Sequence, residues 1–299
     1  KYQEFLLSLL FFFLPILFTP LIFEPFEIPK FFLFVFIMSI VLIFWSLEVL
    51  VQKKLILPKS KVLLAATFFI GAYFLATVFS IHPLSSVFGN YPKVHDGLLF
   101  IFLGLILALR LSTFPQEKIR SLLIYLTAGL SLSLISGGLN FINEAFRTGD
   151  FIIRQESTFG NVTFFSQAAL LGFFLGLTLF FSEDKRRNKI LFLALAFFSL
   201  FMVITSGTRS VWLSFIASAS FALIFLKRNR KVGLILALSF ILVVLLIKPI
   251  SKRLTDLNNF SIQTSQGIRL LEWRDALKVF WANNLILGTG PETVIFTYP

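Results

Sequence analysis

The chain has 299 residues, 57% of them hydrophobic and 17% aromatic, with 41 Phe, and its mean hydropathy is +0.88. That is too apolar for a soluble domain and excludes a disordered one, so the composition describes a polytopic membrane protein. The absence of Cys excludes disulfides and thiol chemistry, and two His make a zinc site improbable. A net charge of +12 requires an explanation that nucleic acid need not supply.

A bilayer core of about 30 Å takes about 20 apolar helical residues. In chain order this rule predicts an all-α bundle of about nine spans: 5–23, 31–51, 62–80, 97–111, 120–141, 161–181, 190–206, 210–226 and 232–247. Pro15 and Pro20 interrupt the first, which lacks a small-residue cleavage site and reads as a retained span. Residues 1–247 form the expected transmembrane domain, and 248–299 the start of a long extracytoplasmic loop. Lys1 in place of a Met and an end in mid-pattern at PETVIFTYP lead us to expect a longer natural chain.

Placing the spans alternately, with the N-terminus inside, sorts the cations. Lys1, the loops 52–61 and 110–120, SEDKRRNK and KRNRK hold 16 of the 27 Lys and Arg, and the opposite short loops hold 5. The positive-inside rule selects this orientation, so the basic excess is a topology signal and not a nucleic-acid footprint.

The outer loops differ in kind from the plain basic connectors inside. IHPLSSVFGNYPKVHDG contains both His, read as loop residues with local hydrogen bonds. INEAFRTGDFIIRQESTFG puts Arg147 and Arg154 ahead of Asn161, which suits the N-cap of the sixth span. Arg209 falls in the short turn SGTR between two apolar runs. Beyond the ninth span, Leu270, Trp273, Leu277 and Phe280 recur at helical spacing, as in an amphipathic helix lying at headgroup depth. Arg154, Arg209 and Arg269 thus share one side. Planar guanidinium forks in such numbers suit a lipid-tethered polyanion, because two or three can neutralise and orient a diphosphate.

The ordered set STFGNVTFFSQAALL, TSGTRSVWLS, IRLLEW and LGTGPETV, with EIPK and GNYPKVHDGLLF earlier, resembles the O-antigen ligase family and its relatives among bacterial surface-polysaccharide polymerases. The resemblance implies a GT-C-like integral glycosyltransferase of the bacterial cytoplasmic membrane. Such an enzyme acts on the extracytoplasmic face, moving a glycan from undecaprenyl diphosphate to a lipid, glycan or protein acceptor. It implies carrier-diphosphate roles for Arg209 and Arg269, the latter four residues before Trp273, and a substrate-binding role for Arg154, with Asn161 and Trp273 beside them. The family often has Asn-Pro-Asn where Asn161, Val162 and Thr163 stand, and Ser-Arg-Gly at Thr208, Arg209 and Ser210. Its functional His lies further along the same outer loop, followed by more spans, and both are expected downstream of Pro299.

The chemistry so implied is attack by an acceptor hydroxyl on the anomeric carbon with inversion, lipid diphosphate leaving. Asp150, Glu156, Asp256, Glu272, Asp275 and Glu292 are too scattered for a magnesium site, so the expectation is a metal-independent reaction without cofactor. GTGP reads as a turn rather than a phosphate cradle. A polymerase of the same superfamily, a lipid or solute transporter and a scaffold are the competing readings. Spans nearly free of charge except at their ends count against an ion-coupled transporter.

Overall fold

The computed structural model describes residues 2–54, 60–91, 94–225, 265–282 and 288–297, and every regular segment among them is helical. Helices α1 (Tyr2–Phe13), α2 (Glu27–Gln52), α3 (Lys61–Val78), α4 (Pro83–Phe88), α5 (Leu98–Ser112) and α6 (Gln116–Thr148) are followed by α7 (Val162–Ser182), α8 (Arg186–Thr205), α9 (Arg209–Phe225), α10 (Ser265–Ala282) and the single turn α11 (Val294–Thr297). Five of these, α2, α3, α6, α7 and α8, are long and apolar enough to cross a membrane. The ninth predicted span, the basic loop 227–231 and residues 248–264 lie outside the described residues.

Seven of the predicted spans coincide with a helix to within a few residues at most ends; α6 extends furthest, to Thr148. The first does not run to residue 23. Helix α1 stops at Phe13, where Pro15 removes a backbone donor and its ring crowds the preceding turn. The N–H groups of Ile16 and Leu17 turn back onto the Phe13 carbonyl at 3.0 and 2.9 Å. The chain then stays irregular until Glu24 Oε1 accepts the N–H groups of Phe26 and Glu27, an anion at the start of α2 that complements the helix dipole.

The chain forms two compact units, residues 1–10, 19–122 and 260–299 in the first, and 11–18 and 123–259 in the second. In the second unit α7 and α8 pack as an antiparallel pair. Gly172 and Gly176 make the close approach possible: a Cβ on Gly176 would sit 2.9 Å from the Phe192 carbonyl oxygen, and one on Gly172 2.9 Å from Ser199 Oγ. Small residues four apart are the usual means by which apolar helices approach when no hydrophobic force separates them from lipid. Around this pair Leu134, Phe165, Phe173, Met202, Trp212 and Phe215 close the core. In the first unit, α3 leaves Phe68, Phe69 and Phe74 more than half exposed, as a helix facing acyl chains would.

Candidate functional site

In the second unit the polar residues gather where α8 ends and α7 and α9 begin. Ser206, Gly207 and Thr208 turn the chain, with Gly207 at φ +65°, and Arg209 is the first residue of α9. The N–H groups of Val211 and Trp212 bond the Thr208 carbonyl at 3.1 and 3.2 Å. The Trp212 indole N–H donates to the Val203 carbonyl at 2.9 Å, clamping α9 onto α8. Arg209 is half-buried and, among the described residues, its guanidinium has no hydrogen bond or ion pair. A cation at the positive end of a helix is unfavourable by itself. The same pairing of guanidinium and free N–H groups is favourable when an anion binds between them.

Two contacts bring the segments of Arg154 and Asn161 to this end. The Ile153 N–H bonds the Thr205 carbonyl at 3.0 Å, laying the segment of exposed Arg154 against the end of α8. Ser166 Oγ lies 2.9 Å from Thr208 Oγ1, tying the first turns of α7 to the turn before α9. Asn161 is the N-cap of α7, its Oδ1 accepting from the Thr163 N–H at 2.8 Å, so the capping expectation holds and accounts for the residue without a ligand.

Residues 149–161 fold back along α6. Thr158 Oγ1 lies 2.6 Å from Ser133 Oγ and donates to the Pro15 carbonyl at 2.6 Å, while Ser157 Oγ donates to the Ser133 carbonyl at 2.8 Å. Ser133 is 15 residues before the end of α6, which corresponds to roughly 22 Å along a helix. Irregular backbone at that depth needs internal partners, and these hydroxyls supply them.

In the first unit three segments far apart in sequence converge. Asn90 Nδ2 donates to the Glu292 carbonyl, Ser86 Oγ donates to the Pro291 carbonyl at 2.6 Å, and the Ile81 N–H donates to the Thr289 carbonyl at 3.1 Å. The ring of His82 lies 3.9 Å from that of Phe296. Gly290, at φ +103°, is pressed so close to Ser80 that a Cβ would come within 2.2 Å of its Oγ. GTGP is therefore a packing turn, as expected. On the same loop His95 Nδ1 is 3.3 Å from Glu27 Oε2, and the Tyr73 hydroxyl donates to the Asp96 carbonyl. EIPK, GNYPKVHDG and GTGPET thus meet in one polar cluster. Among the described residues no group of three or more His, Cys, Asp and Glu could hold a metal ion.

Helix α10 belongs to the same unit. Gly267, Leu271, Asp275 and Val279, four apart, form its more buried face, and Leu270, Trp273, Leu277, Phe280 and Trp281 are exposed on the opposite side. Both faces contain apolar residues, so the helix is less amphipathic than the spacing of the aromatics alone predicts. Arg269 and Trp273 are exposed; Arg269 flanks the aromatic face. Lys278 at 2.9 Å, and then Arg274 at 3.2 Å, hydrogen-bond Asp275 and hold its carboxyl below the usual range.

Residues 194–299 match the family model described as O-Antigen ligase. Over this segment, about a third of the chain, the sequence is similar to that family. No curated protein and no solved structure matches the chain. The matched segment contains Arg209, Arg269, Trp273 and GTGPET, while Arg154 and Asn161 precede it. Together with the apolar helices, this match supports a role in glycan processing at a membrane. Arg209, Arg154 and Asn161 lie in the second unit, and Arg269 and Trp273 in the first. The sequence did not reveal the Ser166 to Thr208 tie or the docking of Glu292 on Asn90. The only advance signal was that both partners of the second pair lie in stretches similar to one family.

Proposed function

We propose that the protein is a glycosyltransferase of the bacterial cytoplasmic membrane, moving a glycan from undecaprenyl diphosphate to an acceptor on the extracytoplasmic face. The observation that carries this reading is Arg209, an unpartnered guanidinium among the described residues, at the N-terminus of α9 within the segment similar to the O-antigen ligase family. Its fork and the first N–H groups of the helix can take phosphate oxygens together. The family resemblance adds a carrier-diphosphate role for Arg269 and substrate-binding roles for Arg154, Asn161 and Trp273.

The acceptor oxygen attacks the anomeric carbon as the bond to the diphosphate oxygen breaks, with inversion. Negative charge grows on the leaving diphosphate, and fixed cations aimed at it lower the barrier. The arginines then supply what a divalent ion would supply elsewhere, so the reaction runs without metal.

The test is transfer by the purified full-length protein from a polyprenyl-diphosphate glycan, in chelator. Turnover in chelator, reduced on the order of a hundredfold in Arg209→Ala, supports the reading. Absence of transfer, with downhill movement of the lipid-linked glycan across the vesicle instead, would establish the transporter.

A further inference from the structure

In the first unit, the helix ends away from the EIPK and GTGPET cluster hold a second group of cations, none of them assigned to glycan transfer. The end of α2, the end of α5 and the start of α6 surround a cavity of about 350 Å³ whose walls include Trp45, Lys54, Arg110, Thr113, Phe114 and Lys118. Arg110 is its fixed point, with a side chain 14% exposed. Its Nη2 donates to Glu48 at 2.7 Å, Nε to Gln3, and Nη1 to Thr113 Oγ1 at 3.4 Å, while the guanidinium lies 5.3 Å from the Phe114 ring centre. Those bonds use three of the five N–H groups of an arginine and hold the plane rigid, leaving two for a ligand.

The charge around the cavity is unbalanced. Glu48 answers Arg110, and Lys118 reaches Glu4 at 3.0 Å outside the wall, but Lys54 has no ion pair among the described residues. Pro115 and Lys118, in the turn that opens the 33-residue helix α6, also line the cavity, so the positive end of a long helix faces it. Trp45 and Phe114 supply an apolar wall beside these charges. The cavity sits at the ends of apolar helices, on the side that the basic loops mark as cytoplasmic.

We propose that this cavity binds the phosphate of an anionic phospholipid headgroup from the inner leaflet, with Arg110 and Lys118 on the phosphate oxygens, Lys54 at the mouth, and Trp45 and Phe114 against the glycerol and first methylenes. An ion-pair network serving only to join helix ends needs neither a cavity of this size nor Lys54, a cation without an ion pair among the described residues, on its wall. A lipid headgroup accounts for both, because it brings charge and apolar chain to the same depth.

The experiment is native mass spectrometry of the full-length protein in detergent, titrated separately with phosphatidylglycerol, phosphatidylcholine and glycerol phosphate. The wild type is expected to retain phosphatidylglycerol in preference to phosphatidylcholine. Lys54→Gln with Lys118→Gln, which leaves Arg110 and Glu48 paired, is expected to weaken that retention roughly thirtyfold, at about tenfold or less for Lys54→Gln alone. Equal retention of the two lipids, or an unchanged preference in both variants, would overturn the proposal. Binding of glycerol phosphate with the same variant sensitivity, but no preference between the lipids, would make it a soluble-phosphate site and overturn the lipid assignment.

Discussion

Ser166 on α7 and Thr208 ahead of α9 stand 42 residues apart and share a hydroxyl contact of 2.9 Å, with Ser166 Oγ also 2.6 Å from the Val162 carbonyl. This contact holds two helix N-termini at one end of the second unit, beside Arg209. Removing it through Ser166→Ala is expected to cost about 1 kcal/mol of stability. The loss of transfer activity should exceed what that destabilisation explains, because the head of α9 loses its lateral support. Thermal unfolding and turnover measured on the same preparation check this; equal, small losses in both would reduce the contact to packing.

Gly176 faces the Phe192 carbonyl and Ala196 on α8. Gly176→Val puts branched carbon where backbone already stands, and overpacking of this kind costs about 1–3 kcal/mol. The expected result is a lower unfolding temperature in detergent, with Gly71→Val, whose Cβ meets nothing within 4 Å, as the tolerated control.

The GTGPET turn docks on the loop 80–90 through Ser80, Ser86 and Asn90. Gly290→Ala combines a clash with Ser80 and a backbone at φ +103° that L residues avoid. The turn should be released, and limited proteolysis should cut near residue 290 in the variant but not in the wild type. Equal resistance in both would contradict the docking.

The helical segments were largely legible in the sequence, because long apolar runs have few other solutions in lipid, and five of those described are long and apolar enough to cross a membrane. The failure at α1 has a local cause in Pro15, which apolar counting cannot weigh. Within the candidate site, Arg209 stood out because a charge between two apolar runs is costly, and the N-cap Asn161 because its spacing suits a cap. Docking of Glu292 on Asn90 and of Thr158 on Pro15 depends on tertiary contact across more than 100 residues, which no local periodicity encodes.

Asp275 gives α10 a pH dependence of known sign. Hydrogen bonds from Lys278 and then Arg274 lower its folded value. The contribution is therefore fully present above the ordinary Asp value of about 4 and is lost as pH falls through the lowered folded value. Solvent screening keeps it small, because its partners Arg274 and Lys278 are exposed. Helicity of α10 should be unchanged between neutral and mildly acidic pH and fall only in strong acid, a loss that Asp275→Asn abolishes; a transition near neutrality would contradict this origin.

Fusions of a reporter after Lys231 and after Arg253 test the side on which the arginines act, the first expected cytoplasmic and the second extracytoplasmic. The most direct measurement of the central claim, that Arg209 serves a carrier diphosphate, is the glycan profile of the native host with the full-length gene, wild type beside Arg209→Ala at equal expression. The account predicts glycan accumulating on the lipid carrier and lost from its final acceptor in the variant. An unchanged profile would contradict it and leave Arg209 as an interface anchor.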